Sequence, residues 1–130
     1  MFLYIISLHP VDLTEGFPKC FHVFHILISV LPQIVPFSFG EDTTNAGDSA
    51  SAACSVVKGD TPIVISWFFN GTEIRSNADI TISNVGKKIS MLSIESARAE
   101  YVGEYTCVAK NAAGATNISS YLYINGLIFD

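Results

Sequence analysis

The pattern of apolar and polar positions divides the chain in two. Residues 1 to 32 are apolar and aromatic, with no clean repeat of 2 or 3.6. From about Gln33 the pattern changes to short runs rich in β-branched and aromatic residues. "SASAACSVV" alternates, "TPIVISWFF" is continuous, and Asn70-Gly71 is a hairpin signal. "ADITIS", "KKISMLSIES", "GEYTCVAKN" and "ATNISSYLYI" follow, with turn signals in "NVGK" and "NAAG". No long helical period and no internal repeat interrupts them. Seven or so short strands over residues 33–126 predict an all-β, two-sheet sandwich. No domain is assigned to residues 1–32, and residues 127–130 read as a tail.

Alternation along each strand predicts which side chains face the core. Ala50, Ala52, Cys54 and Val56 share one face, and Ile63, Ile65, Trp67 and Phe69 share another. Leu92 and Ile94 pair in the same way, as do Tyr105, Cys107 and Ala109. The inward positions therefore hold two cysteines and the only tryptophan, in the order Cys54, Trp67, Cys107.

That order resembles the Cys…Trp…Cys arrangement of immunoglobulin domains, in which an inter-sheet disulfide packs against a buried indole. "LSIESARAEYVGEYTCVAKNAAG" is similar to the I-set pattern of cell-adhesion receptors, with matches at Leu92, Ile94, Ala97, Gly103, Tyr105, Cys107, Ala109, Asn111 and Gly114. The residues from "PQIVPFSFGE" through "NAGDS" and "KGD" to "WFFNG" resemble, more narrowly, a variable (seventh) immunoglobulin domain of the arthropod Dscam family, over about Leu31 to Gly126. The resemblance implies an I-set Greek-key sandwich with a Cys54–Cys107 disulfide, Cα atoms about 5.5–6 Å apart, and Cys20 left free. A persisting disulfide needs an oxidising compartment, whereas two reduced core cysteines would not. Leu92 and Trp67 would complete the core signature. Tyr105 is placed as the tyrosine corner, and Asn111 to Gly114 as the turn between the last two strands. The family usually carries an aspartate two residues before Gly103, and here Tyr101 stands there. The expectation is that the acid–arginine pair beneath the corner is missing and that Tyr105 alone holds it.

The same resemblance implies the extracellular part of a single-pass plasma-membrane receptor. Its partner would be protein, the same isoform on an apposed cell, serving neuronal self-recognition and immunity. The rival reading is a structural spacer domain of a receptor or muscle-type protein, without a binding face of its own.

Composition narrows the remaining classes. At 130 residues, 49% hydrophobic and 15% charged, the chain has the material of one folded domain. A net charge of −5 opposes binding to nucleic acid, whose modules carry a basic stripe, and the lone pair Lys87-Lys88 sits beside a turn glycine. Cys20, His22 and His25 form C-x-H-x-x-H, but a zinc site needs more donors than that stretch supplies. Glu95, Glu100 and Glu104 fall at polar positions where carboxylates are ordinarily solvated. No histidine follows Cys54, and neither a phosphate loop nor a nucleophile elbow is present. The expectation is no enzyme, no cofactor, no metal and no small-molecule substrate.

Three features bear on the surface. Asn70-Gly71-Thr72 and Asn117-Ile118-Ser119 are acceptor triplets for N-glycosylation, or else unmodified polar positions. Both map to the sheet that would contain Trp67 and Cys107. On the other sheet, parity turns Ser49, Ser51, Ala53 and Ser55 outward, with Ile89, Met91, Ser93, Thr81 and Ser83 beside them. A flat face of small side chains with two exposed apolar residues is the candidate homophilic surface. Residues 1–30 lack a basic leader region, and Pro10, Asp12, Glu15, Pro18 and Lys19 interrupt any apolar core or membrane span. They are expected to be intron-derived, ending at a splice acceptor near Leu31, with "LIFD" as the downstream counterpart; a poor signal peptide is the alternative.

Overall fold

A computed structural model describes residues 4–12, 22–40 and 44–125. Strands β1 (Tyr4–Asp12) and β2 (His22–Val30) pair antiparallel as a two-stranded sheet. The sequence pattern gave no period there. The stretch is nonetheless rich in Ile, Val, Phe and Leu, whose side chains suit a pleated surface. Cys20 lies outside the described residues, and His22 and His25 lie on strand β2.

The sandwich follows. Short strands β3 (Gln33–Ile34) and β4 (Thr44–Asn45) lead into β5 (Ala50–Lys58). Next come β6 (Val64–Phe69), β7 (Thr72–Ile74), β8 (Ile80–Val85) and β9 (Ile89–Ile94). A 3-10 turn at Ala99–Tyr101 precedes β10 (Gly103–Asn111), β11 (Gly114–Leu122) and β12 (Ile124–Asn125). One sheet has the order β3-β5-β9-β8 and the other β11-β10-β6-β7; the hairpins β6–β7, β8–β9 and β10–β11 each stay within a sheet, and successive hairpins alternate between the two sheets as in a Greek key. β12 pairs β4 in parallel.

Turn chemistry sets the hairpins. Asn70 (φ 47) and Gly71 (φ 86) both take positive φ, the signature of a two-residue type I′ turn, and bring Phe69 opposite Thr72. Asn111 and Gly114 face each other at the end of the β10–β11 hairpin. The Asn111 amide donates to the Val30 carbonyl at 2.6 Å and the Asp60 carbonyl at 3.1 Å, and accepts from the Ala113 N–H at 2.8 Å. One buried side chain thus ties three stretches of backbone, adding a second donor to the Val30 carbonyl, which also accepts the Asp60 N–H at 3.2 Å.

The inward faces meet as the alternation requires. Cys54, Leu92, Ile94, Tyr105, Cys107 and Ala109 are fully buried, and Trp67 retains 1% of its surface. Cys54 and Cys107 are disulfide-bonded with Cα atoms 6.3 Å apart, slightly wider than expected from the sequence. Ser90 is also fully buried, and its hydroxyl accepts the Trp67 indole N–H at 2.9 Å. Phe37 and Phe39 close one side of this core, edge-on to Trp67 and Tyr105 at 5.2 and 5.0 Å between ring centroids.

Candidate functional site

The outward face of β3-β5-β9-β8 is built by strand register. Ser51 lies opposite Ser93, Ala53 opposite Met91, and Ser55 opposite Ile89. On the far side of β9, Thr81 faces Ser93, Ser83 faces Met91, and Val85 faces Ile89. Because a strand period is two, these residues share one surface while Ala52, Cys54, Leu92 and Ile94 share the other. Every candidate residue from Ser51 to Ser93 is therefore brought together, in three cross-strand rows. Ser49 is exposed just before β5.

The character of the face differs from the expectation in one respect. Ile89 and Met91 are half-buried, as are Ala53, Ser55 and Ser93. The more exposed apolar side chains are ones not singled out above: Val85 at 55%, Val57 at 54% and Val35 at 42%. Val57 continues the outward positions of β5, and the Val35 N–H bonds the Ser55 carbonyl at 2.9 Å, which sets Val35 beside the Ser55–Ile89–Val85 row. One end of the face is thus apolar and the other carries hydroxyls, with no charge within the rows. Past Ile89 an open cleft of about 570 Å³, lined by Pro62, Ile63, Ile65 and Lys87, carries the apolar surface around the edge.

Tyr105 donates its hydroxyl to the Tyr101 carbonyl at 2.7 Å, as the corner requires. Burial pushes this phenol well above its ordinary pKa. An acid–arginine pair is also present, contrary to the expectation, with Arg98 bonded to Asp79 at 2.7 Å. The acid sits ahead of β8 and the base follows β9, and the Tyr101 hydroxyl joins them by donating to Asp79 at 2.6 Å. Arg98 also donates to the Tyr101 oxygen at 3.0 Å, stands over its ring at 5.3 Å, and pairs with Glu100. The Tyr101 bond, followed by Arg98, holds the Asp79 carboxyl below its usual range, and the same bond raises the Tyr101 phenol. Tyr101 therefore joins the lock at the position where the family has its aspartate, and the charges are supplied from either side.

The sequon asparagines differ in environment. The Asn70 side-chain oxygen accepts the Glu104 N–H at 2.9 Å, extending the β6–β10 ladder past its end. Its amide lies against Gly103, where a Cβ would come within 2.7 Å of the oxygen and of the Phe69 ring. Any larger residue at 103 would collide with both. Asn117 is exposed on β11. Glu95, Glu100 and Glu104 are exposed, and among the described residues no group of His, Cys, Asp or Glu could hold a metal ion.

Comparisons with known proteins agree on one family. The Immunoglobulin I-set domain matches residues 38–124. The chain is 40% identical over 101 residues to the cell adhesion molecule Dscam1 of Drosophila melanogaster, covering 77% of this chain and 5% of that protein. It superposes on the crystal structure of the Dscam1 Ig7 domain, isoform 5, with a TM-score of 0.68 and 40% identity, over 72% of this chain and 96% of that one. A chimeric titin Z1Z2 gives a TM-score of 0.67 at 26% identity, over 76% of this chain and 99% of the other.

Proposed function

The chain belongs to the immunoglobulin I-set family, and from that premise we propose that it is a recognition module of a cell-adhesion receptor, pairing with an identical copy through the outward face of β3-β5-β9-β8. The observation that carries this reading is the uncharged surface formed by Ser51, Ala53, Ser55, Ile89, Met91, Ser93, Thr81 and Ser83. Small side chains let two sheets approach closely, and an apolar patch rimmed by polar groups is the usual form of a protein contact. Val35, Val57 and Val85 enlarge the apolar end. A two-fold contact would be isologous, each patch meeting its own copy, so no opposite charge is needed across it. The similarity to Dscam1 supports the adhesion class, although the chain spans only about 5% of that relative's length. Same-isoform pairing between apposed cells, a plasma-membrane location and a role in neuronal self-recognition belong to this proposal. Among the described residues no helix is long and apolar enough to cross a membrane.

The second reading, a spacer domain with no face of its own, is favoured by the similarity to titin at 26% identity. Replacing Ile89 and Met91 with lysine puts like charges at the centre of any isologous contact, a direct obstacle to pairing. On beads displaying the chain with its neighbouring receptor domains, Ile89→Lys with Met91→Lys is expected to abolish aggregation while circular dichroism is unchanged. Unchanged aggregation with the fold intact would remove this face from consideration.

A further inference from the structure

The acceptor triplet Asn117-Ile118-Ser119 lies on a part of the molecule that the pairing reading leaves unused. We propose that Asn117 carries an N-linked glycan whose first sugars lie along the outward face of the β11-β10-β6 sheet.

The geometry separates the two sequons. Exposure alternates along β11, so Ala115, Asn117, Ser119 and Tyr121 point outward. β11 is an edge strand, paired within its sheet to β10 alone. The Asn117 side-chain amide makes no hydrogen bond to any described residue, so attaching a sugar there breaks no side-chain bond among them. Asn70 is different, because its amide closes the hairpin end by accepting the Glu104 N–H and packing on Gly103. Among the described residues the Asn70 side-chain amide is used by the fold and the Asn117 side-chain amide is not.

The surface beside Asn117 suits a sugar. Val108 is directly opposite it on β10, and Ser66 is opposite Val108 on β6. The next row holds Ser119, Thr106 and Phe68. Val108 and Phe68 are half-buried, and hydroxyl groups surround them. Two strand spacings span about 10 Å, roughly the reach of a disaccharide. A sugar ring presents C–H groups on one face and hydroxyls at its edge. It can cover the apolar side chains while its rim bonds water and the Ser and Thr hydroxyls.

The covalent step needs a co-reactant of a known class, an oligosaccharide linked through its C1 to a lipid diphosphate. The Asn117 Nδ2 attacks C1, the C1–oxygen bond to the diphosphate breaks, and an N–C1 bond forms. One amide proton is lost to a base of the transferring enzyme, and the lipid diphosphate leaves. The transfer takes place on the secretory route, where the Cys54–Cys107 disulfide is also able to persist. A glycan at Asn117 would leave β3-β5-β9-β8 as the uncovered sheet.

The test expresses the full 130-residue chain behind a cleavable leader in secreting insect cells. Peptide mapping follows, with and without an amidase that removes N-glycans and converts the asparagine to aspartate. The expected result is conversion at position 117, and loss of one glycan mass when Asn117→Gln is introduced. Nuclear Overhauser contacts from the first sugar to the Val108 methyls and the Phe68 ring would place it on the sheet. An unmodified residue 117 in the secreted, disulfide-bonded protein would overturn the proposal; because mapping is done on the parent chain, the result stands even if the variant fails to fold. A glycan at 117 without contacts to Val108 and Phe68 would overturn its placement. Neither readout depends on self-pairing, so failure here leaves the proposed function standing, and the reverse holds.

Discussion

Removing the Ser90 hydroxyl isolates a hydrogen-bond donor at the centre of the sandwich. Trp67 Nε1 donates to Ser90 Oγ over 2.9 Å, and both residues are buried. An indole N–H can only donate, so Ser90→Ala leaves it unpaired where water does not reach. Among the described residues no other buried side-chain polar atom lacks a partner, so the variant introduces a defect of a kind otherwise absent. A buried donor left without its acceptor costs about 1–3 kcal/mol. With about 2 kcal/mol lost, Tm falls by roughly 8–16 °C for a domain of about 100 residues. The assay is urea unfolding followed by circular dichroism in both backgrounds, with the emission of Trp67, the chain's only tryptophan, as a second probe where that residue is kept. Trp67→Phe removes the donor, so Ser90→Ala in that background is expected to cost less than about 0.5 kcal/mol. Equal costs in both backgrounds would mean the hydroxyl acts through packing, and the hydrogen-bond argument would fail.

Two further outcomes follow from the core and the corner. The disulfide joins residues 53 positions apart, and replacing Cys54 and Cys107 with alanine is expected to lower stability by about 2–5 kcal/mol in a denaturant titration; an unchanged midpoint would contradict a structural role for the bond. The Asp79 pKa is lowered on folding, so its contribution is present above the unfolded value near 3.8 and lost as pH falls through the lower folded value. Tyr101→Phe removes the largest cause of that shift, and an NMR titration of the Asp79 carboxyl should then show its pKa move upward. A carboxyl that titrates unchanged in the variant would break the account of the corner.

The parts of the fold legible in the sequence were those set by local alternation. Period-two patterning placed Cys54, Trp67, Leu92, Tyr105 and Cys107 inward because each strand buries one face and exposes the other. The same parity assembled the outward rows, since antiparallel pairing carries alternation from strand to strand. What escaped lies where distant residues meet. Asp79 and Arg98 are separated by β8 and β9, and no local pattern links them. Tyr101 was read only as a missing carboxylate, when its hydroxyl could join a carboxylate supplied from elsewhere. Ser90 is polar at an inward position and became legible only once its partner was known to be an indole. Val35, Val57 and Val85 fall at or near strand ends, where a face defined from strand centres stops short. In β1 and β2 the apolar residues follow no period, so composition alone gave no pairing.

The central claim is that one sheet face pairs with itself, and amide chemical shifts as a function of protein concentration test it most directly. On raising the concentration of the 130-residue chain, the account predicts shifts or broadening at Ser51, Ala53, Ser55, Ile89, Met91 and Ser83. Val108, Thr106 and Ser66 on the opposite sheet should stay fixed. Shifts confined to that opposite sheet, or no concentration dependence at any amide, would contradict it.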